Sequence, residues 1–303
     1  MLQRPREAPA ERQRGRAVSG HVRHGFADTR HGQVHYVEHG TGDPVVLLHQ
    51  TPRSWDEYRD VLPLLGANHR AIAMDTLGFG ASARPADPWT IELFAAGVLD
   101  LCDTLGFDRV TLVGHHTGGV IAVEAAAAAP ERVHGLVLSA TPFVDAARRH
   151  RVATSRPPID HVIPAADGSH LGQLWANRAG FYPPDRPDLL DRLVRDALAV
   201  LDRAEEGHLA VNRYRMEDRI GLVRAPTLAL CGELDTFSLP DLPRIAAAIP
   251  GARSAVLPGT GVPAVDHRPE QFAAVVGEFL RSPAMIEPSV HFRRDQAGFA
   301  PKL

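Results

Sequence analysis

The strongest constraint on this chain is the spacing of its apolar runs. VVLLH at Val45–His49, RAIAMD at Arg70–Asp75 and the stretch Val110–Gly114 are short and largely apolar. Such runs suit strands covered on both faces of a sheet. Segments of helical spacing lie between them. Ser54–Leu65 is one, with Ser54 as its N-cap. Thr90–Leu105 is another, with Ile91, Phe94, Val98, Leu101 and Leu105 recurring on one face. Thr117–Ala129 continues the pattern as a helix stopped by Pro130, and Leu136–Ala140 follows as a strand. Val34–Glu38 reads as an earlier strand after the turn His31-Gly32. Strand–helix alternation predicts an α/β fold, with a mostly parallel central sheet, right-handed crossovers and flanking helices.

The alternation breaks after Phe143. From there to about Arg219 the chain is rich in Pro and Arg, with scattered aromatics and one clear periodic helix, Leu189–Leu201. It resumes with strands at Thr227–Cys231 and Ala255–Leu257 and a helix at Glu270–Leu280. The expected organisation is a disordered basic tail at 1–20, a core at 21–142 and 220–282, a helical cap at 143–219, and a loose C-terminal extension at 283–303. A chain of 303 residues that is 44% hydrophobic can bury a core of this size. The net charge of −3 argues against a nucleic-acid partner. No apolar run reaches the roughly 20 residues that span a bilayer, and none near Met1 resembles a secretory segment. The expectation is a cytoplasmic monomer or homodimer acting on a small molecule, without membrane contact. Cys102 and Cys231 are read as buried free thiols, and His21, His24, His31, His35 and His39 as exposed.

LVGHHTGG (Leu112–Gly119) has the frame Gly-x-nucleophile-x-Gly between a strand and a helix, but its centre is His116. Four further segments follow the same order of parts. VVLLHQTP (Val45–Pro52) looks like a strand and oxyanion loop. DTLGFGAS (Asp75–Ser82) looks like a D-x-x-G-x-G-x-S turn. TLALCGELD (Thr227–Asp235) looks like the strand that presents an acid. LPGTGVPAVDHRPEQF (Leu257–Phe272) looks like the loop usually written GxGH with the last helix. Over Phe26–Leu280 the chain resembles the α/β-hydrolase superfamily, in particular its capped esterase, epoxide hydrolase and dehalogenase-like members.

The resemblance implies a nucleophile, an acid and a His in chain order. This chain departs from that order twice. His116 stands at the nucleophile position and Val262 at the base position; Asp235 alone matches. The expected chemistry is therefore general acid–base work by His116, oriented by Asp235, without a Ser nucleophile. A carboxylate would raise the His116 pKa and the helix N-terminus would lower it. The resemblance places an oxyanion hole at the backbone N–H groups of Gln50 and Thr117. A base beside such a hole suits an ester, lactone or β-hydroxycarbonyl substrate, by hydrolysis or by lyase- or isomerase-like chemistry.

Two alternatives stand beside this reading. One is an ordinary hydrolase with a displaced base such as His267, and the other is a binding protein that keeps the pocket without turnover. His49 is a further candidate for chemistry or substrate contact, and Thr117 a weaker one for nucleophile. Trp55, Trp175, Phe181, Tyr182, Tyr214 and Val262 are candidate substrate contacts, with Arg178 or Arg213 available to read an anion. His115 matches a position that is usually structural. No H-E-x-x-H spacing occurs, so neither metal nor cofactor is expected.

Overall fold

The computed structural model describes residues 21–155, 158–282 and 285. Eight strands form one sheet: β1 (Arg23–Thr29), β2 (Gly32–His39), β3 (Pro44–Leu48), β4 (Arg70–Met74), β5 (Val110–His115), β6 (Val133–Ser139), β7 (Thr227–Gly232) and β8 (Arg253–Leu257). Their order is β1-β2-β4-β3-β5-β6-β7-β8. The two pairings made by β2 are antiparallel and all others parallel. The short apolar runs are the central strands. Val46, Leu48, Ile72, Met74 and Leu112 face one layer, while Val45, Leu47, Ala71, Ala73 and Val113 face the other. This alternation is the period of a pleated strand, and both faces are covered.

The helices in chain order are α1 (Leu62–Leu65), α2 (Ile91–Thr104), α3 (Thr117–Ala128), α4 (Ala146–Ser155), α5 (Ser169–Ala179), α6 (Pro187–Ala199), α7 (Glu206–Arg213), α8 (Leu242–Ala248), α9 (Ala264–His267) and α10 (Pro269–Leu280). α2 and α3 cover one face of the sheet; α1 and α10 cover the other. α2 begins as its sequence predicts, with the Thr90 hydroxyl accepting the Leu93 N–H. The expected helix Ser54–Leu65 is instead a 3-10 turn, Trp55–Tyr58, and the short α1. Ser54 does cap the first piece, and Pro63 sits in the first turn of α1.

The interruption is an insertion between β6 and β7 holding α4 to α7. Only α6 shows strong amphipathic spacing; α4 is mostly polar and α5 mostly exposed, which hid both from a periodicity reading. The insertion has its own small core around Leu174, Tyr182, Leu189 and Leu193. Ion pairs fasten it to the sheet layer. Arg53, fully buried, donates to Asp196 on α6 at 2.7 Å and to Asp266 on α9 at 2.5 Å. Arg192 on α6 reaches back to Asp56 at 2.7 Å and Asp60 at 2.9 Å. At the far end of the insertion, Tyr214 and Arg219 both bond Glu124 on α3.

Two expectations need correction. His35 and His39 are buried, because β2 lies between β1 and β4 instead of at an edge. His35 Nδ1 lies 2.8 Å from the Asp75 carboxylate. Met285, inside the expected loose extension, is buried against Gly135; the rest of that extension and the 1–20 tail lie outside the described residues. Cys102 and Cys231 are buried free thiols as expected, with burial pushing both up to about 12. No described helix is long and apolar enough to cross a membrane.

Candidate active site

His116 sits at the tip of a sharp turn from β5 into α3, with φ 47° and ψ −111°. A non-glycine residue in such a conformation costs about 1–3 kcal/mol and needs neighbours that impose it. They are present. The His116 N–H donates to the Ser139 carbonyl at 2.9 Å, and its carbonyl accepts from Gly119 and Val120 at the start of α3. The flanking glycines allow the tight fit. A Cβ on Gly118 would come within 2.0 Å of the Leu48 carbonyl, and one on Gly114 within 2.2 Å of the Gly118 carbonyl. The turn thus holds the His116 ring out from the sheet edge.

A cavity of about 410 Å³ opens over this ring, between the sheet edge and the insertion. Asp235, on the loop after β7, lies beneath it and is fully buried. Asp235 Oδ1 accepts the N–H groups of Phe237 and Ser238, both at 3.0 Å. Its Oδ2 lies 3.6 Å from His116 Nε2, within ion-pair range but beyond a hydrogen bond. Neither atom makes a hydrogen bond among the described residues. The His116 pKa is pushed well below the ordinary histidine value, first by burial and then by its basic neighbours His115, His208, Arg178 and Arg148. Of the two opposing influences expected from sequence, the carboxylate therefore does not prevail.

The Gln50 half of the expected oxyanion hole is corrected. Its backbone N–H donates to Glu57 Oε2 at 2.8 Å, and its side-chain amide to Glu57 Oε1 at 2.6 Å. Gln50 borders the cavity, but both donors are held by a buried carboxylate seven residues on. Thr51 and Thr117 also border the cavity, with their hydroxyls 2.9 Å apart. Their backbone N–H groups bond to nothing among the described residues.

Several sequence candidates lie away from the cavity. His49 is fully buried: its Nε2 accepts the Thr76 N–H at 2.9 Å, so Nδ1 donates to the Gln50 carbonyl at 2.7 Å. Both nitrogens brace the loop. His267, at the end of α9, bonds Thr260 Oγ1 at 3.0 Å and is not part of the cavity wall. His115 is structural. Its Nε2 donates to the Val262 carbonyl at 3.0 Å, Nδ1 accepts from Ser139 Oγ at 2.9 Å, and burial lowers its pKa to about 4.

Among the aromatic candidates only Phe181 lines the cavity, together with Val262. Trp55 packs edge-on against His24, Trp175 faces solvent, Tyr182 belongs to the insertion's own core, and Tyr214 spends its hydroxyl on Glu124 at 2.7 Å. Arg178 lines the cavity and Arg213 does not. Sequence reasoning missed Arg148, Arg151 and Val152 on α4, and His208, Val211 and Asn212 on α7. The signal was present: each trio is spaced i, i+3, i+4, which puts it on one helix face.

The described residues contain one cluster with metal-ligand types, Asp160, Glu205 and His208, whose candidate atoms lie within 4.8 Å of one another. The Arg178 guanidinium already binds both Asp160 oxygens, and Glu205 accepts the Ile159 and Asp160 N–H groups. A cation there would face a guanidinium in contact with its own ligand, so the cluster does not suit a metal.

The sheet order, the strained turn and the insertion after β6 define a class, and comparison with known proteins agrees. The family described as alpha/beta hydrolase fold matches residues 43–264, and the chain belongs to it. Among characterised relatives, the chain is 37% identical over 141 residues to haloalkane dehalogenase 2 of Mycobacterium tuberculosis, covering 45% of this chain and 49% of that protein. It is 39% identical over 190 residues to 2-hydroxy-6-oxo-2,4-heptadienoate hydrolase of Pseudomonas putida, covering 61% of this chain and 59% of that one. The chain thus matches about half the length of these relatives. Among solved structures, the enol-lactonase of Burkholderia xenovorans superposes with a TM-score of 0.70 at 22% identity, over 85% of this chain and 100% of the lactonase. At that identity the likeness speaks to the fold.

Proposed function

We propose that this protein is an enzyme in which His116 acts as a general acid–base on a small, largely apolar carbonyl compound, with Asp235 orienting the ring. The observation that carries the reading is the placement of His116 alone at the tip of the elbow, bordering the cavity, with Asp235 Oδ2 3.6 Å behind Nε2. A carboxylate facing Nε2 favours the tautomer that carries its proton there, which leaves Nδ1 as the base. A lowered pKa keeps the ring neutral, and so able to accept a proton, at neutral pH.

The Thr117 N–H, joined by that of Thr51 in place of Gln50, supplies donors for a developing oxyanion. No Ser, Cys or carboxylate occupies the elbow tip, so the chemistry needs no acyl-enzyme at that position. An ester, lactone or β-hydroxycarbonyl group fits a base beside such donors, by activated-water attack or by proton abstraction and elimination.

His116→Ala tests this directly. It should cut turnover by about 10²–10⁴-fold, the usual worth of a general base, while near-UV circular dichroism stays that of the native fold. Turnover that survives the substitution would sink the proposal. A fluorophosphonate probe should leave the elbow of the native protein unlabelled.

A further inference from the structure

We propose that the cavity takes an organic acid, an apolar body with a carboxylate head, and that Arg151 and Arg178 receive the head. The inference extends the reading of the His116 cavity as an active site by naming the substrate class.

Among the described residues no Asp or Glu lines the cavity, whereas three arginines and two histidines do. The nearby carboxylates stand behind this lining, each facing a basic side chain: Asp160 behind Arg178 and His208, Asp241 behind Arg148, and Asp235 behind His116. The Arg151 guanidinium, on α4, has no ion pair or hydrogen bond among the described residues; only its carbonyl is engaged, accepting the Thr154 hydroxyl. Arg178 is nearly fully buried, and its Nε and Nη2 are spent on Asp160 and His208. Its Nη1 donates to nothing among the described residues. A buried guanidinium whose inner edge is satisfied and whose outer nitrogen is free is already fixed in place to receive an acceptor.

The rest of the wall, with Phe181, Phe237, Val152 and Val211, is apolar and suits the body of such a ligand. Two positions one turn apart explain how α4 contributes: Arg148 and Arg151 share a face with Val152. The positive lining also reaches His116, whose proton affinity is lowered by Arg178, His208 and Arg148. An anion bound among these cations offsets their field and returns basicity to His116 when substrate is present.

The test is equilibrium binding by calorimetry of phenylacetate, benzylphosphonate and the neutral isostere phenylacetamide. The proteins are the native enzyme, Arg151→Gln and His116→Ala. Phenylacetate should bind the native protein at least tenfold tighter than phenylacetamide. Arg151→Gln should erase most of that preference, and raised salt should weaken the acid alone. Phenylacetate binding more tightly than benzylphosphonate supports a carboxylate head; the reverse order overturns that choice of head. Equal binding of acid and amide, no binding of phenylacetate, or a preference unchanged in Arg151→Gln overturns the subsite. His116→Ala should keep the preference. Loss of turnover with the preference intact supports both readings, whereas turnover surviving in His116→Ala with the preference intact removes the acid–base reading and leaves this one standing.

Discussion

His116 stands at the elbow tip with Asp235 Oδ2 3.6 Å from its Nε2, and Val262 borders the same cavity. A base whose pKa is lowered loses activity only when pH falls through that lowered value. The acid limb of kcat/KM should therefore lie below the ordinary histidine pKa of about 6.5, and a pH–rate profile with its limb above that value would contradict the assignment. Moving the imidazole from the elbow to position 262 is a second test. His116→Ser with Val262→His should create activity on an activated ester such as p-nitrophenyl acetate, because Asp235 and the elbow backbone are already in place; a double variant that folds but stays inert would show that the loop cannot present a base. The placement of His116 at the strand-to-helix turn was legible in the sequence because the flanking glycines and apolar runs fix the register. The capture of the Gln50 N–H by Glu57 was not. It depends on a 3-10 turn folding a carboxylate back over the loop, and no spacing rule announces that.

At the level of elements, the strands were readable and most of the cap was not. A strand covered on both faces must be apolar throughout, so β3, β4, β5 and β7 stand out in the sequence. The cap helices α4 and α5 bury little, and ion pairs do much of the work of holding α6. Charge pairing between Arg53 and Asp196 spans 143 positions and leaves no periodic trace. Arg53→Met should cost about 3–5 kcal/mol in urea unfolding, since it strands Asp266 and Asp196 as carboxylates without their guanidinium partner. A loss under 1 kcal/mol would mean that Arg192 carries the junction alone.

For the whole molecule, two buried acids pull stability in opposite directions with pH. Asp160 is held near 2, below its ordinary 3.8, by Arg178 and His208 against the opposing effect of burial. Its contribution is full above the unfolded value and is lost as pH falls through the folded one, about 2 kcal/mol in all. Asp266 is raised to about 6 by burial despite Arg53 and Arg192. Its charging costs stability as pH climbs from about 4 to about 6. Asp160→Asn should flatten the acid side of a plot of unfolding free energy against pH, and Asp266→Asn should flatten the fall toward neutrality. An unchanged profile in either variant would remove that residue from the balance.

The fastening of α6 by Arg53 and Arg192, and of the insertion's exit by Glu124, also decides how a ligand travels. A roof bolted at both ends does not swing as a lid. The cavity meets bulk water where its lining is itself exposed, at Arg151, Thr236 and Phe237, the last 56% exposed. The doorway therefore stands beside a guanidinium that is unpaired among the described residues. Arrival of an anion there is a diffusional encounter drawn in by charge, so its on-rate should fall as ionic strength rises, while the rate of departure changes little.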